Sequence, residues 1–133
     1  MIRAVPINEL SREWGKIRGP LERLAGKVQT DGWIPEDVYV LCTTGQATVW
    51  VNDGPWCGFA VLQLLPRYTQ KRLHIWILHS EGQKPESFMG DLKDLATSLG
   101  AVVITFQSPR PGWKKRAEAF GFKQVSINYE IEV

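Results

Sequence analysis

The chain has 133 residues, 44% of them apolar and 23% charged, which is one domain's worth with an ordinary globular composition. Sixteen basic residues against fourteen acidic ones leave a net charge of +2, too balanced for a dedicated nucleic-acid binder or a polybasic membrane binder. Two cysteines, Cys42 and Cys57, make neither a disulfide framework nor a four-ligand metal site. They read either as one disulfide or as small buried apolar residues in a reducing compartment.

The first residues lack the long apolar run of a signal peptide, and no apolar stretch reaches membrane-spanning length. The expected setting is therefore cytoplasmic. There are no repeats, linkers or low-complexity tracts, so residues 1–133 read as a single domain.

Ile2 to Val5 reads as a short edge strand. Pro6-Ile7-Asn8-Glu9 opens a helix on which Leu10, Trp14, Ile17, Leu21, Leu24 and Ala25 share one face. Gly19-Pro20 should break or kink it, because proline lacks an amide donor and clashes with the preceding turn. Pro35-Glu36-Asp37 starts a second helix, with proline at a first-turn position and two acids at the positive helix end. It should stop near Thr43 to Gly45.

Three strands follow, Ala47 to Asn52, Trp56 to Leu65 and Arg72 to His79, joined by turns at Asn52-Asp53-Gly54-Pro55 and Pro66 to Gln70. Short turns between successive strands predict an antiparallel meander. Pro85 opens a third helix carrying Phe88, Met89, Leu92, Leu95, Ala96 and Leu99 on one face, closed by Gly100. Ala101 to Phe106 is an apolar strand suited to a buried parallel position. A short basic helix over Arg110 to Phe120 and an alternating strand over Phe122 to Val133 complete the chain. The predicted order is β-α-α-β-β-β-α-β-α-β, an α/β domain with a mixed central sheet and helices on both faces. The helical crossover before Ala101 makes its strand parallel to Arg72–His79.

That order, with Gly121-Phe122 just before the last strand, resembles the GNAT family of acyl-CoA N-acyltransferases over nearly the whole chain. The resemblance is strongest from Leu73 to Tyr129. It implies acetyl-CoA as cofactor and an amine acceptor entering from the side built by residues 20 to 45. It implies that Ile75, Trp76, Ile77 and Leu78 present backbone groups to the pantetheine arm. It also implies a pyrophosphate loop at Ser80-Glu81-Gly82-Gln83-Lys84-Pro85, with Gly82, Gln83 and Lys84 as the contacts. Successive amides at a helix N-terminus favour such an anion.

The loop departs from the family pattern. Ser80 stands where Arg or Gln is usual, and Gln83 and Pro85 stand where glycines are usual. Counting back from Gly121 also puts Ala117 where the family often has a tyrosine acid, and alanine donates no proton. The segment Ser108 to Trp113 further resembles small acetyltransferase-like proteins of tailed phages.

His79 ends its strand beside the expected thioester and is the candidate general base; the alternative is a polar strand-end residue. Ser108 is the candidate replacement acid; the alternative is a cap for the next turn. His74, five residues before His79, should face the opposite side of the sheet. Arg110, Lys114, Lys115 and Arg116 form a basic cluster that suits the adenosine 3′-phosphate, nucleic acid, an acidic partner or plain solvation. Trp113 either covers the pantetheine cleft or packs on the sheet. Trp50, Trp56 and Trp76 read as cross-strand packing or, on an exposed face, as a protein interface. The functional expectation is acetyl transfer to an amine. The alternative is a catalytically inactive protein of the same fold, with a protein partner or a homo-oligomer, virion-associated if phage-encoded.

Overall fold

A computed structural model describes residues 2–27, 32–52, 58–80, 86–108 and 112–133. Among the described residues five strands lie side by side in chain order: β1 (Ile2–Ala4), β2 (Thr48–Asn52), β3 (Gly58–Arg67), β4 (Gln70–Ser80) and β5 (Ala101–Phe106). The first three pairings are antiparallel and β4–β5 is parallel. The meander and the crossover helix are both as predicted. The helices are α1 (Ile7–Lys27), α2 (Pro35–Thr43), α3 (Glu86–Ser98) and α4 (Trp113–Ala119).

The sheet separates two apolar cores. On one face Leu10, Ile17 and Leu21 of α1 and Val38 and Cys42 of α2 pack on Val49, Val51, Phe59, Val61 and Ile77. On the other, Phe88, Met89, Leu92 and Ala96 of α3 pack on Ala60, Leu62, Leu73 and Ile75. Alternation of side chains along each strand produces both sets. Burial pushes the Cys42 thiol up to about 11, so this free cysteine belongs to the core and not to any reactive site.

α1 does not break at Gly19-Pro20; it runs through with Pro20 buried inside it. An interior proline costs a helix about 3 kcal/mol. Leu10, Ile17 and Leu21 are almost wholly buried, and such side chains contribute about 1.5–3 kcal/mol each. The continuous apolar face therefore outweighs the local break. α2 begins at Pro35 as expected. Asp37 Oδ2 accepts the Ile34 amide at 2.9 Å, and the Asp37 amide donates to Ile34 O at 3.0 Å, closing the first turn. Gly100, at φ +75°, ends α3 with its amide on Thr97 O.

Two other expectations are corrected. β4 starts at Gln70, so the turn before it narrows to Tyr68-Thr69. The final strand over Phe122–Val133 is not formed: residues 122–133 carry neither helix nor strand, and 123–133 are exposed. Among the described residues this segment pairs with no strand. The turn at 53–55, Trp56 and Cys57 lie outside the described residues.

Candidate functional site

The two edges of β4 are used unequally. Its pairing with β3 runs the full length, to Gly58 opposite Ser80. Its pairing with β5 ends at Ile75 opposite Phe106. From Trp76 to Ser80 one edge of β4 therefore has no strand beside it among the described residues. Amides and carbonyls along such an edge must find partners elsewhere. Ile75 and Phe106 are the last pair of the β4–β5 ladder, the apex of the wedge between β4 and the chain that leaves β5.

A β-bulge sits at the same point. Val61 pairs with Ile77 and Leu62 with Ile75, so Trp76 is the extra residue. Trp76 and Ile77 both pack toward the α1/α2 core, while Leu78 returns to the α3 side. The bulge corrects the reading of the histidines. His74 lies opposite Gln63 and His79 opposite Phe59, whose ring faces the α1/α2 core. With one residue inserted between them, both histidines face that same side of the sheet.

Just below the opening His74 Nδ1 and Thr105 Oγ1 share a hydrogen bond of 2.9 Å across β4 and β5. Burial, then the nearby Arg72 charge, holds the His74 pKa below its ordinary value. The imidazole is thus kept neutral in the role of a strand clamp. Thr105 is the one polar residue of Ala101–Phe106, a signal that the sequence reading passed over.

Ile75 and Ile77 are buried, and Trp76 and Leu78 half-buried. Trp76 meets Trp33, just ahead of α2, edge to face at 6.1 Å. Trp50 packs on the opposite core, so the expected cross-strand packing of Trp50 with Trp76 does not form. His79 is half-buried, its ring 5.4 Å from that of Phe59 and inclined by 36°. The backbone beneath it is held tightly: a Cβ on Gly58 would lie 2.3 Å from His79 O and 2.9 Å from Ser80 Cα. Only glycine lets β3 come this close at the wedge.

Ser108 is exposed, two residues beyond the end of β5. Gly82, Gln83 and Lys84, with Glu81 and Pro85, lie outside the described residues, as does Arg110. Trp113 packs on the sheet: its ring meets Phe106 at 5.6 Å, the Phe106 ring also meets Phe122 at 5.0 Å, and the Arg116 guanidinium stands 5.4 Å over the indole. Lys114 and Lys115 are exposed on α4. Ala117 O accepts the amides of Phe120 and Phe122, so the position matching the family's tyrosine works here through its backbone. Phe106, Trp33 and Gly58 are the structural members of the wedge that periodicity alone did not single out.

Among the described residues no group of three or more His, Cys, Asp or Glu side chains is placed to hold a metal ion. No helix among them is long and apolar enough to cross a membrane.

No protein-family model matches the sequence, and no curated protein sequence matches it. Solved structures do match. A probable acetyltransferase superposes with a TM-score of 0.70 at 13% identity, covering 100% of this chain and 97% of the other. A ribosomal-protein-alanine N-acetyltransferase from Brucella melitensis biovar Abortus 2308 gives 0.68 at 14% identity, covering 100% and 99%. Glucosamine-6-phosphate N-acetyltransferase from Arabidopsis thaliana gives 0.61 at 14%, covering 99% and 97%. At such identities the likeness is one of architecture, and this mixed five-stranded sheet with its four helices has the GNAT acetyltransferase fold.

Proposed function

We propose that this chain transfers an acyl group from acetyl-CoA to an amine, at the wedge between β4 and β5. The observation that carries the reading is the edge of β4 from Trp76 to Leu78, which has no strand beside it among the described residues and begins where the pairing with β5 stops. The cofactor arm is an extended chain with two amide groups, and an unpaired strand edge offers complementary donors and acceptors at strand spacing. When bound, acetyl-CoA supplies a thioester carbonyl open to attack by an amine.

The chain's own residues divide the work. The backbones of Trp76, Ile77 and Leu78 hold the arm, and Ile75 with Phe106 closes the apex against water. Gly82, Gln83 and Lys84 receive the pyrophosphate, Lys84 as a point charge. His79, one residue beyond that edge, accepts the proton that the amine must lose. Ser108, on the β5 arm, protonates the leaving sulfur, with solvent as its substitute. The acceptor enters on the α1/α2 side, where Trp33 and Trp76 give an aromatic wall. Neighbours of this fold act on a ribosomal-protein alanine and on an amino sugar, and an amine acceptor is the feature taken from them here.

One observation favours a second reading, a protein that binds the cofactor or a partner without turning over. Ala117 has no side-chain proton to give at the position where the resemblance implies a tyrosine. The narrower likeness to phage-encoded proteins, with host cytoplasm or virion as location, rests on the Ser108–Trp113 segment.

The test is release of free CoA thiol from acetyl-CoA in the presence of a panel of primary amines, with calorimetry on the same samples. The active reading expects turnover that His79→Gln lowers about 10²- to 10⁴-fold with acetyl-CoA affinity retained. Lys84→Ala should weaken that affinity. Saturable binding without turnover on any amine supports the second reading. No binding at millimolar cofactor overturns the active reading and leaves the second one as binding of a partner alone.

A further inference from the structure

We infer that the acceptor is a single primary amine carried on a flat apolar body, an aryl-alkyl monoamine, and that Trp33 and Trp76 select it. The inference rests on the acyl-transfer reading above and names the substrate class for that site. Trp76 is the first residue of β4 past its last pair with β5. The bulge turns it to the α1/α2 side, the side on which His79 also lies. Trp33 meets it edge to face, ring centroids 6.1 Å apart. Both indoles are only half-buried, and the next residue, Ile34, is 52% exposed. An apolar surface thus stands in water on the side from which the amine approaches.

The spacing sets the size of the body. His79 follows Trp76 by three positions on β4, a separation of about 10 Å at the rise of a strand. An amine hydrogen-bonded to the imidazole takes up about 3 Å of it. A stem of roughly two carbons and one ring covers the rest. Aromatic rings prefer offset or edge-on contact with centroids about 4.5–7 Å apart. Two indoles inclined at 66° to each other offer such a ring both kinds of contact.

The charges on this side argue against a polycationic acceptor. The second half of α1, residues 16–27, and the whole of α2 carry four basic residues against three acidic ones. The three carboxylates are already engaged. Glu22 and Glu36 each lie 2.9 Å from the Arg18 guanidinium, and Asp37 accepts the Ile34 amide. A polyamine needs spare carboxylates for each further cation, and here the surplus charge is basic, so a second ammonium is repelled. An apolar body meets no such penalty and covers the half-exposed indoles. The open groove of about 740 Å³ beside β5 has one wall on α3, which packs on the opposite face of the sheet, and takes no part in this selection.

The experiment sets three probes against the full chain with acetyl-CoA: phenethylamine, propylamine and spermidine. Release of CoA thiol and the indole N–H resonances are read on the same samples, the Trp33 resonance being the one that Trp33→Phe removes. kcat/KM is expected to favour phenethylamine over each of the others by about tenfold or more, with the Trp33 and Trp76 resonances shifted saturably by that amine. Trp33→Ala should collapse the ratio of phenethylamine to propylamine turnover, and Trp33→Phe should restore most of it. A ratio taken on one protein does not move when part of the sample is unfolded. Turnover that favours spermidine, or that ignores the ring, overturns the inference and leaves acyl transfer standing. A preference for the ring that survives Trp33→Ala also overturns it. If no amine is turned over, the acyl-transfer reading fails by itself. Saturable shifts of both indoles by phenethylamine then still uphold the ligand class, and their absence ends it.

Discussion

Gly58 shows how a single residue sets the geometry of the wedge. A methyl group there would meet His79 O at 2.3 Å, and backbone cannot yield cheaply. Gly58→Ala should destabilise the domain by about 1–3 kcal/mol, read as a shift in the denaturant midpoint. It should also weaken acetyl-CoA binding, because the ends of β3 and β4 are pushed apart at the proposed base. The His74–Thr105 bond is the second residue-scale control. The His74 pKa is lowered in the folded state by burial, so below an unfolded value near 6.5 the unfolded chain binds more protons than the folded one. Stability should therefore be fully present above about pH 6.5 and fall as the pH drops below it. His74→Gln should flatten that slope in a series of unfolding curves. An unchanged slope would take His74 out of the account.

The elements show which local rules hold and which are overridden. α2 follows its sequence closely, with Pro35 at the start and Asp37 reaching back to the Ile34 amide. Asp37→Ala should cost about 1 kcal/mol in thermal or denaturant unfolding. Nearly all elements were legible because apolar residues recur at helical or strand spacing. The exceptions have physical causes. The break at Gly19-Pro20 was a correct local inference that lost to a continuous buried face. The bulge at Trp76 was illegible because Leu73 to Leu78 is apolar at all but one position, and only the pairing with β3 fixes which residue is extra. That single insertion moves His79 to the face of His74. The last strand was legible as a pattern, but pattern supplies a face and not a partner. The candidate site divides in the same way. The strand residues Ile75 to His79 were found from chain order and resemblance. Phe106, Thr105, Trp33 and Gly58 matter through contacts distant in sequence, which periodicity does not report.

At the scale of the molecule the sheet does two things. It separates two cores, so that α1 and α2 shape one side of β4 while α3 carries the chain to β5 on the other. It also ends its β4–β5 pairing early, at Ile75 and Phe106, and the proposed function places an extended ligand there. The parallel pairing is clamped at His74–Thr105 and open from Trp76 onward. We propose that the Trp76–Leu78 edge takes the cofactor. The measurement that tests it most directly is amide hydrogen exchange on the full chain with and without saturating acetyl-CoA. New protection is predicted among residues 76–80, with the β2–β3 amides unchanged. Saturable binding with no added protection at 76–80, or with protection confined to the groove beside β5, would contradict it.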